Sequence, residues 1–203
     1  RRFFPPSMPP IEEAQAINAQ RIAELRVTLA DLPLDHPQLT LEIGCGHGHY
    51  LAAYAEKNPA EHSIAIDIIK ERLEKAARKT DRAGVTNVSW LRASAEHFFE
   101  ALPSEVRFNG RIFILFPDPW PKRKHGKNRL IKPDFLRTLA TFTTTGTELC
   151  FRTDHDPYFA EALAVVSDHP EWNVTLDAEW PFEQRTVFEA RADSHQSWIA
   201  RRA

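Results

Sequence analysis

Short apolar runs alternate with helical stretches along most of this chain, and this alternation constrains the fold more than any other sequence feature. Each apolar run has the length of a buried strand, and most are followed within two residues by Gly, Ser, Asp or Pro. Strands and helices alternating at this spacing form βαβ units, in which a mainly parallel sheet is covered on both faces. We therefore predict an α/β fold with strands at 39–43, 63–68, 88–92, 111–116 and 147–152, and helices at 48–57, 70–82, 95–102, 133–142 and 156–167.

The two ends of the chain are predicted to differ from this middle part. Residues 1–10 include four prolines and little to bury, so they are expected to form a flexible N-terminal arm. Residues 11–31 carry apolar side chains at three- and four-residue steps, which predicts a helix. Further strands are predicted near 173–178 and 195–201. Because a length of 203 residues suits one α/β domain, we expect residues 11–203 to form a single domain.

Composition argues against several classes of protein. No stretch approaches the roughly 18 consecutive apolar residues of a membrane span, so no membrane partner is expected. The two cysteines, Cys45 and Cys150, match no metal or redox spacing, and the nine histidines show no ligand spacing. We therefore expect no bound metal and a reducing, cytoplasmic location. The residues leave the oligomeric state open between a monomer and a homodimer.

The net charge of −2 hides an uneven distribution. Residues 122–132, which we call the basic strip, contain six of the 26 Lys and Arg and no acid. The rest of the chain therefore has 20 cationic against 28 acidic side chains. A chain of this kind is expected to repel polyanions everywhere except at the strip.

A glycine-rich turn follows the first predicted strand. Glu42 precedes it, and Gly44, Gly46 and Gly48 permit a tight turn that a ligand can approach without meeting a Cβ. A dinucleotide fingerprint would place its third glycine one residue later, which disfavours a nicotinamide dehydrogenase. Asp67 ends the second strand, where a carboxylate can accept both hydroxyls of a ribose. These strand ends predict a nucleoside-binding site, because ligands of parallel sheets bind at the carboxyl edge.

The fourth predicted strand ends in Pro117-Asp118-Pro119-Trp120-Pro121, directly before the basic strip. Three prolines within five residues restrict the backbone and so limit the directions of Asp118 and Trp120. A fixed carboxylate at this edge can contact a polar substrate, and an aromatic side chain can stack on a base, which is worth about 1–3 kcal/mol. The cations that follow suit a phosphate backbone. A solvated basic loop is the alternative interpretation, and the adjacent Asp118 disfavours it.

These two motifs resemble a known family. The proline-rich block and its basic continuation resemble the hallmark of bacterial tRNA (guanine-N7)-methyltransferases, and the turn at 42–48 resembles motif I of S-adenosylmethionine-dependent methyltransferases. The resemblance extends from about Leu41 to the C-terminus. It implies a Rossmann-like class I methyltransferase fold with a mostly parallel, seven-stranded sheet, divided into a cofactor-binding half at 39–116 and a substrate half at 117–203. It also implies S-adenosylmethionine as cofactor, tRNA as partner, and methylation of guanine N7 in the variable loop.

The resemblance implies roles for individual residues. Asp118 matches the proposed catalytic acid beside the methyl group. Cofactor binding is implied for Glu42, Gly44, Gly46, Gly48, Asp67, Ser94, Ala95 and Asp118. Substrate binding is implied for Lys122, Asp154, Thr186, Val187, Phe188 and Glu189. RNA contact is implied for Trp120, Arg123, Lys124, His125, Lys127 and Arg129.

The chain departs from the family pattern at a few positions. Ser94 stands where the family usually has Asp, so a hydroxyl replaces a charge near the adenine. Gly126 and Asn128 stand where the family often has His and Arg, which reduces the charge of the basic strip. Considered without the resemblance, Asp154 is most simply the N-cap of the next helix, and Cys150 is a small buried hydrophobic residue.

Two other functions fit parts of the same pattern. Asp118-Pro119-Trp120 partly resembles the motif with which amino-group methyltransferases hold an adenine, although the order of residues differs. A non-catalytic tRNA-binding subunit with the same fold would bind tRNA without the cofactor, and Ser94 is the one feature that favours it. The identity of the methylated nucleoside tests the first alternative, and cofactor binding tests the second.

Overall fold

The computed structural model describes residues 11–184 and 194–203, and the predicted N-terminal arm at 1–10 lies outside them. The strands are β1 (Leu39–Ile43), β2 (His62–Asp67), β3 (Val88–Arg92), β4 (Arg111–Leu115), β5 (Glu148–Thr153), β6 (Trp172–Thr175) and β7 (Gln196–Arg202). The helices are α1 (Ile11–Ala30), α2 (His49–Lys57), α3 (Lys70–Ala83), α4 (Ala95–Ala101), α5 (Pro133–Thr141) and α6 (Asp156–Ser167). A 3-10 helix over Arg123–Asn128, which was not predicted from the sequence, lies in the basic strip.

The seven strands form one sheet in the order β3-β2-β1-β4-β5-β7-β6. Strands β1 to β5 pair in parallel, and β7 pairs antiparallel to both of its neighbours. The prediction of an α/β fold with a mostly parallel sheet is therefore confirmed. The strand order reverses direction between β1 and β4, and such a switch point opens a crevice for ligands at the carboxyl ends of the strands.

The two faces of the sheet are covered by different elements. One face packs against α1, α4, α5 and α6, and its core includes Leu41 and Ile43 of β1. The other face packs against α2, α3 and the segment at 178–182. Successive side chains of a strand point to opposite faces of the sheet. Glu42 therefore points toward the face covered by α2, whereas its neighbours Leu41 and Ile43 point toward the other face.

Local sequence signals set several helix ends. Pro133 occupies the first turn of α5, where its missing N–H costs no helical hydrogen bond. Gly84 ends α3 in the left-handed region, with φ of 71°, which a glycine adopts without a steric penalty. Within the described residues, no helix is both long and apolar enough to cross a membrane.

Candidate active site

The glycine-rich turn connects β1 to α2, and its three glycines have positive φ values of 76°, 55° and 68° for Gly44, Gly46 and Gly48. The space around Gly48 differs from that around Gly44. A Cβ at Gly48 would lie 2.5 Å from the Trp90 ring and 2.7 Å from the Ala76 Cβ, so close packing alone requires glycine there. A Cβ at Gly44 would meet no atom within 4 Å. Gly44 therefore borders open space that a ligand can occupy.

The Asp67 carboxylate holds the turn in place. Its Oδ2 atom accepts the Gly46 backbone N–H at 2.9 Å, and its Oδ1 atom accepts the Ile69 backbone N–H at 2.8 Å. A carboxylate has about four acceptor positions, so each oxygen keeps one for a further donor. Asp67 thus shapes the loop and can still accept hydroxyl groups, whereas sequence reasoning had assigned it to the ligand alone.

Glu42 is a buried carboxylate beside this turn. It is 2% exposed, and its Oε2 atom has no hydrogen-bond partner among the described residues. Burial raises the pKa of Glu42 to about 8; the Leu51 backbone N–H opposes this shift and the charge of Asp67 adds to it. An unpaired buried carboxylate is costly to ionise. The site therefore suits a ligand group that is cationic or donates a hydrogen bond.

A cavity of about 400 Å³ opens at the ends of β2 and β3. Ile68, at the end of β2, is 64% exposed and forms an apolar wall. Ser94 accepts the His97 backbone N–H at 3.2 Å and so caps α4, which begins at Ala95. Sequence reasoning missed the contribution of α1, whose second half lines this cavity. The lining includes Arg21, Glu24, Leu25, Ile68, Ser94 and His97.

The segment that carries Asp118 is strained on both sides. Phe116 and Trp120 have φ values of 50° and 46°, a left-handed conformation that costs a residue with a side chain about 1–2 kcal/mol. This conformation ends β4 at Leu115, one residue earlier than predicted. Asp118 lies exposed between the two strained residues. Strain of this kind concentrates at functional sites, because the surrounding structure must hold it in place.

The two loops emerge side by side. Strands β1 and β4 are paired, with Glu42 opposite Phe113, and neighbouring strands lie about 4.8 Å apart. The glycine-rich turn and the segment at 116–120 therefore leave the same edge of the sheet from adjacent strands. Asp67 joins them from β2, which pairs with β1 on its other side.

The 3-10 helix of the basic strip follows this segment. The rings of Trp120 and His125 meet edge to face with centroids 5.9 Å apart. Lys122 and Lys127 are exposed, and the Lys132 ammonium donates to the Lys127 carbonyl. The side chains of Arg123 and Lys124 lie outside the described part of the structure.

Arg129 differs from the rest of the strip. It is only 9% exposed, its Nε donates to the Pro119 carbonyl at 2.8 Å, and it forms an ion pair with Glu161. Its guanidinium also lies 5.0 Å from the centre of the Tyr158 ring. These contacts place Arg129 among the residues that hold the loop, in contrast to the RNA contact expected from the sequence.

The end of β5 carries Asp154, which is exposed. The N-cap interpretation of Asp154 is wrong, because α6 begins at Asp156 and the Nδ1 atom of His155 accepts the Tyr158 backbone N–H at 3.1 Å. Asp154 therefore keeps its carboxylate at the same edge of the sheet as Asp118. The late substrate motif, Thr186, Val187, Phe188 and Glu189, lies outside the described residues.

Sequence reasoning missed Arg152, a buried cation in β5. Its two terminal nitrogens donate to the Glu183 carboxylate at 3.0 and 3.2 Å, and its guanidinium lies 4.1 Å from the centre of the Trp180 ring. Trp180 in turn donates to the Tyr50 hydroxyl at 3.2 Å. Arg152 thus anchors the segment that precedes the late substrate motif. In the sequence, the presence of an arginine within a largely apolar predicted strand was the signal for this role.

The described residues hold no cluster of three or more His, Cys, Asp or Glu that could bind a metal ion. Cys45 and Cys150 are free and buried. Burial, as the largest cause, raises the pKa of both thiols far above the ordinary value. Neither cysteine is therefore available as a thiolate nucleophile.

Comparison with known proteins now identifies the family. A family model described as "Putative methyltransferase" matches residues 36–201. A tRNA (guanine-N(7)-)-methyltransferase from Hyphomonas neptunium is 32% identical over 175 residues, which cover 82% of this chain and 79% of that protein. The chain belongs to the tRNA (guanine-N(7)-)-methyltransferase family. A member from Rhodospirillum rubrum is 34% identical over 166 residues, covering 79% of this chain and 64% of that protein.

Coverage of other family members is smaller, since the chain spans about half of the relatives from Syntrophotalea carbinolica and Streptomyces avermitilis. Among solved structures, a Streptococcus mutans protein described as "a putative methyltransferase" and solved in complex with SAH has a TM-score of 0.54 at 14% identity, covering 90% of this chain and 98% of that one. This likeness confirms the Rossmann-like class I methyltransferase fold. The comparisons favour neither the adenine methyltransferase nor the non-catalytic subunit.

Proposed function

We propose that this chain methylates the N7 atom of a guanosine in the variable loop of tRNA, with S-adenosylmethionine as methyl donor, to form 7-methylguanosine. The observation that carries the proposal is the buried Glu42 carboxylate, whose Oε2 atom has no partner among the described residues, beside a turn adjacent to the strained segment that presents Asp118. The names of the family members support the same reaction.

The residues present fit S-adenosylmethionine. Its ammonium group is a cationic donor that suits the Glu42 Oε2 atom, which has no partner within residues 11–184 and 194–203, and Gly44 leaves room beside the turn. The spare acceptor positions of Asp67 suit the ribose hydroxyls. The exposed Ile68 side chain and the Ser94 hydroxyl border a cavity that suits the adenine. At these two positions the site offers apolar contact and a neutral hydrogen-bonding group, because Ser94 carries no charge.

Methylation of guanine N7 depends on the orientation of the base more than on proton transfer. When bound, S-adenosylmethionine supplies an electrophilic methyl group on a sulfonium centre. Guanine N7 has a lone pair and no proton to remove, so no general base is needed. The chain contributes by holding guanine N7 directed at the methyl group, and such orientation is worth about 7–11 kcal/mol.

Asp118 can assist in two ways. Its carboxylate can stabilise the positive charge that develops on the purine, as a fixed charge does at many active sites. It can also accept hydrogen bonds from the guanine N1–H and exocyclic amine, which would orient the base. The rigid backbone on either side of Asp118 supports both roles.

The substrate half at 117–203 would recognise RNA by shape and charge. N7 faces the major groove, which in A-form RNA is deep and narrow, so the target guanosine must lie in a loop or loosened tertiary contact. We assign phosphate contact to Lys122, Lys124 and Lys127, base stacking to Trp120, and substrate contact to Asp154 and the motif at 186–189. A tRNA substrate implies a cytoplasmic location.

The decisive experiment uses labelled S-adenosylmethionine and an unmodified tRNA transcript, followed by digestion to nucleosides. We expect 7-methylguanosine as the labelled product. Labelled methyladenosine would instead establish the amino-group alternative. Binding of tRNA without binding of S-adenosylmethionine would establish the non-catalytic alternative.

A further inference from the structure

Helix α3 carries four cations on one exposed face: Lys75, Arg78, Lys79 and Arg82. Their spacing of three and four residues brings them together on one side of a helix, and they line one shallow concave patch of the surface. None of the four forms an ion pair with a described residue, whereas Lys70 at the start of the same helix pairs with Glu74 at 3.5 Å. We call these four residues the α3 basic face.

The fold fixes this face outward. Leu73, Ala76 and Thr80, on the opposite side of α3, are buried against the sheet. The helix holds six Lys and Arg against three Asp and Glu, in a chain whose net charge is −2. The expectation that only the basic strip attracts polyanions rested on a linear count of charge, which does not reveal this second group of cations that helical periodicity collects.

The α3 basic face borders the candidate active site. The Lys79 ammonium lies 2.9 Å from the Nδ1 atom of His49, which is the first residue of α2 and follows Gly48. Ala76, one residue after Lys75, is one of the two residues that a Cβ at Gly48 would meet. Gln184, which leads toward the late substrate motif, lines a hollow together with His49 and Lys79.

The basic strip also supplies less free charge than its sequence indicates. Arg129 is held by Pro119 and Glu161, and the Lys132 ammonium is engaged by the Lys127 carbonyl. Cations of another element at this edge of the sheet would therefore add to the phosphate contacts that the strip can still make. Among the described elements, α3 presents four that are not engaged in ion pairs, next to the glycine-rich turn.

We propose that the α3 basic face is a second binding surface for the phosphate backbone of the RNA substrate, acting together with the basic strip. This inference rests on the proposed function, because it assigns the surface to the same RNA. From Lys75 to Arg82 the helix rises about 10 Å at 1.5 Å per residue, the length of about three stacked nucleotides. Lys and Arg side chains that contact phosphates do not distinguish one base from another, so the surface adds affinity without sequence preference.

The test variant is Lys75→Gln/Arg78→Gln/Arg82→Gln. It keeps Lys79 and thus the contact with His49, and glutamine is nearly as good a helix former as lysine or arginine. The matched control, Lys57→Gln/Arg107→Gln/Arg201→Gln, removes the same charge at the opposite edge of the sheet. Lys57 ends α2, Arg107 precedes β4, and Arg201 pairs with Glu148 at the start of β5.

The measurements are tRNA affinity as a function of salt concentration, and KM and kcat for methylation of tRNA. In the test variant we expect the slope of log K against log salt to fall by about two units, since each lost phosphate contact removes about 0.7–0.9. KM for tRNA should rise about tenfold with kcat within twofold of wild type. Far-UV circular dichroism and the thermal midpoint should match wild type in both variants.

Two results with the test variant would overturn this proposal. In one, its salt slope and its KM for tRNA match those of the control variant. In the other, its kcat falls while its KM stays unchanged. The single variant Arg78→Gln should show a slope reduced by just under one unit, and an unchanged slope there would count against the surface as well. If wild type methylates tRNA but the α3 variant behaves as the control does, only this inference fails. If wild type neither binds nor methylates tRNA, the proposed function fails with it.

Discussion

The Arg129 guanidinium is bonded to the backbone of the proline-rich segment: its Nε atom donates to the Pro119 carbonyl oxygen at 2.8 Å. Pro119 follows Asp118 directly, so this bond ties the basic strip to the loop that presents the proposed catalytic carboxylate. Glu161 of α6 and the Tyr158 ring complete the surroundings of the guanidinium. Arg129, for which the sequence predicted RNA contact, therefore stabilises the loop of the candidate site from within the fold.

Replacing Arg129 should affect the fold more than RNA binding. We expect Arg129→Gln to lower the free energy of unfolding by about 1–3 kcal/mol, because buried hydrogen bonds are lost. The salt dependence of tRNA binding should stay at the wild-type slope. Lys127→Gln is the contrast: unfolding is unchanged while the slope falls by just under one unit. Urea denaturation and binding titrations measure both, and equal slopes in the two variants would contradict the assignment.

Asp118 should be required for methyl transfer and not for cofactor binding. We expect Asp118→Ala to lower kcat by at least about 10²-fold, the usual loss when a group that stabilises developing charge is removed. The affinity for S-adenosylmethionine should change by less than about threefold, because Asp118 is exposed and belongs to a different loop from the glycine-rich turn. Undiminished turnover would refute the catalytic role.

The Asp118→Asn variant separates the two roles of the carboxylate. Asparagine keeps one acceptor oxygen but carries no charge. If charge stabilisation dominates, kcat of this variant should equal that of Asp118→Ala. If orientation of the base dominates, kcat should recover by about tenfold over Asp118→Ala, the value of one retained hydrogen bond.

Glu42 should make stability depend on pH. Its pKa is raised from 4.5 to about 8, so between these values the folded chain binds a proton that the unfolded chain does not. Stability should therefore fall as pH rises through this interval, by up to about 1.4 kcal/mol per pH unit, and level off above about pH 8. Urea unfolding of wild type and Glu42→Gln, both without cofactor, isolates this contribution, because glutamine does not titrate. Parallel stability curves for the two proteins would show that Glu42 is ionised throughout.

The same carboxyl should control cofactor affinity. The ammonium group of S-adenosylmethionine prefers the ionised carboxylate, so affinity should increase with pH up to about pH 8 in wild type. Glu42→Gln should bind more weakly, with little dependence on pH over the same range. Calorimetric titration at pH 6, 7 and 8 checks this, and a rise of up to about tenfold per pH unit is the largest that one proton can give.

The two outer glycines of the turn should respond differently to alanine. In Gly48→Ala the new Cβ would lie within 3 Å of Trp90 and Ala76 at a positive φ, so we expect a loss of about 2–4 kcal/mol of stability. In Gly44→Ala only the backbone conformation is strained, which costs about 1–2 kcal/mol. Its methyl group enters the open space, so affinity for S-adenosylmethionine should fall at least tenfold. Retained affinity in a folded Gly44→Ala protein would place the cofactor elsewhere.

Much of the fold could be predicted from the sequence, because apolar periodicity and turn residues are local signals. The strands and helices occur where they were predicted, with ends that differ by a few residues at most. The strand order and the antiparallel placement of β7 were not predictable from periodicity, since pairing depends on contacts between distant residues.

The candidate site divides in the same way. The sequence alone determined which residue types stand at the strand ends: Glu42, the glycines, Asp67 and Asp118. The contacts that each of these side chains makes follow from the folded structure. Folding buried Glu42 with no partner for its Oε2 atom among the described residues, gave Asp67 two backbone donors, removed Arg129 from the surface, and collected four cations on α3. The physical reason is that burial, pairing and surface charge depend on neighbours brought together by folding, whereas turns and periodicity depend on residues next to each other in the chain.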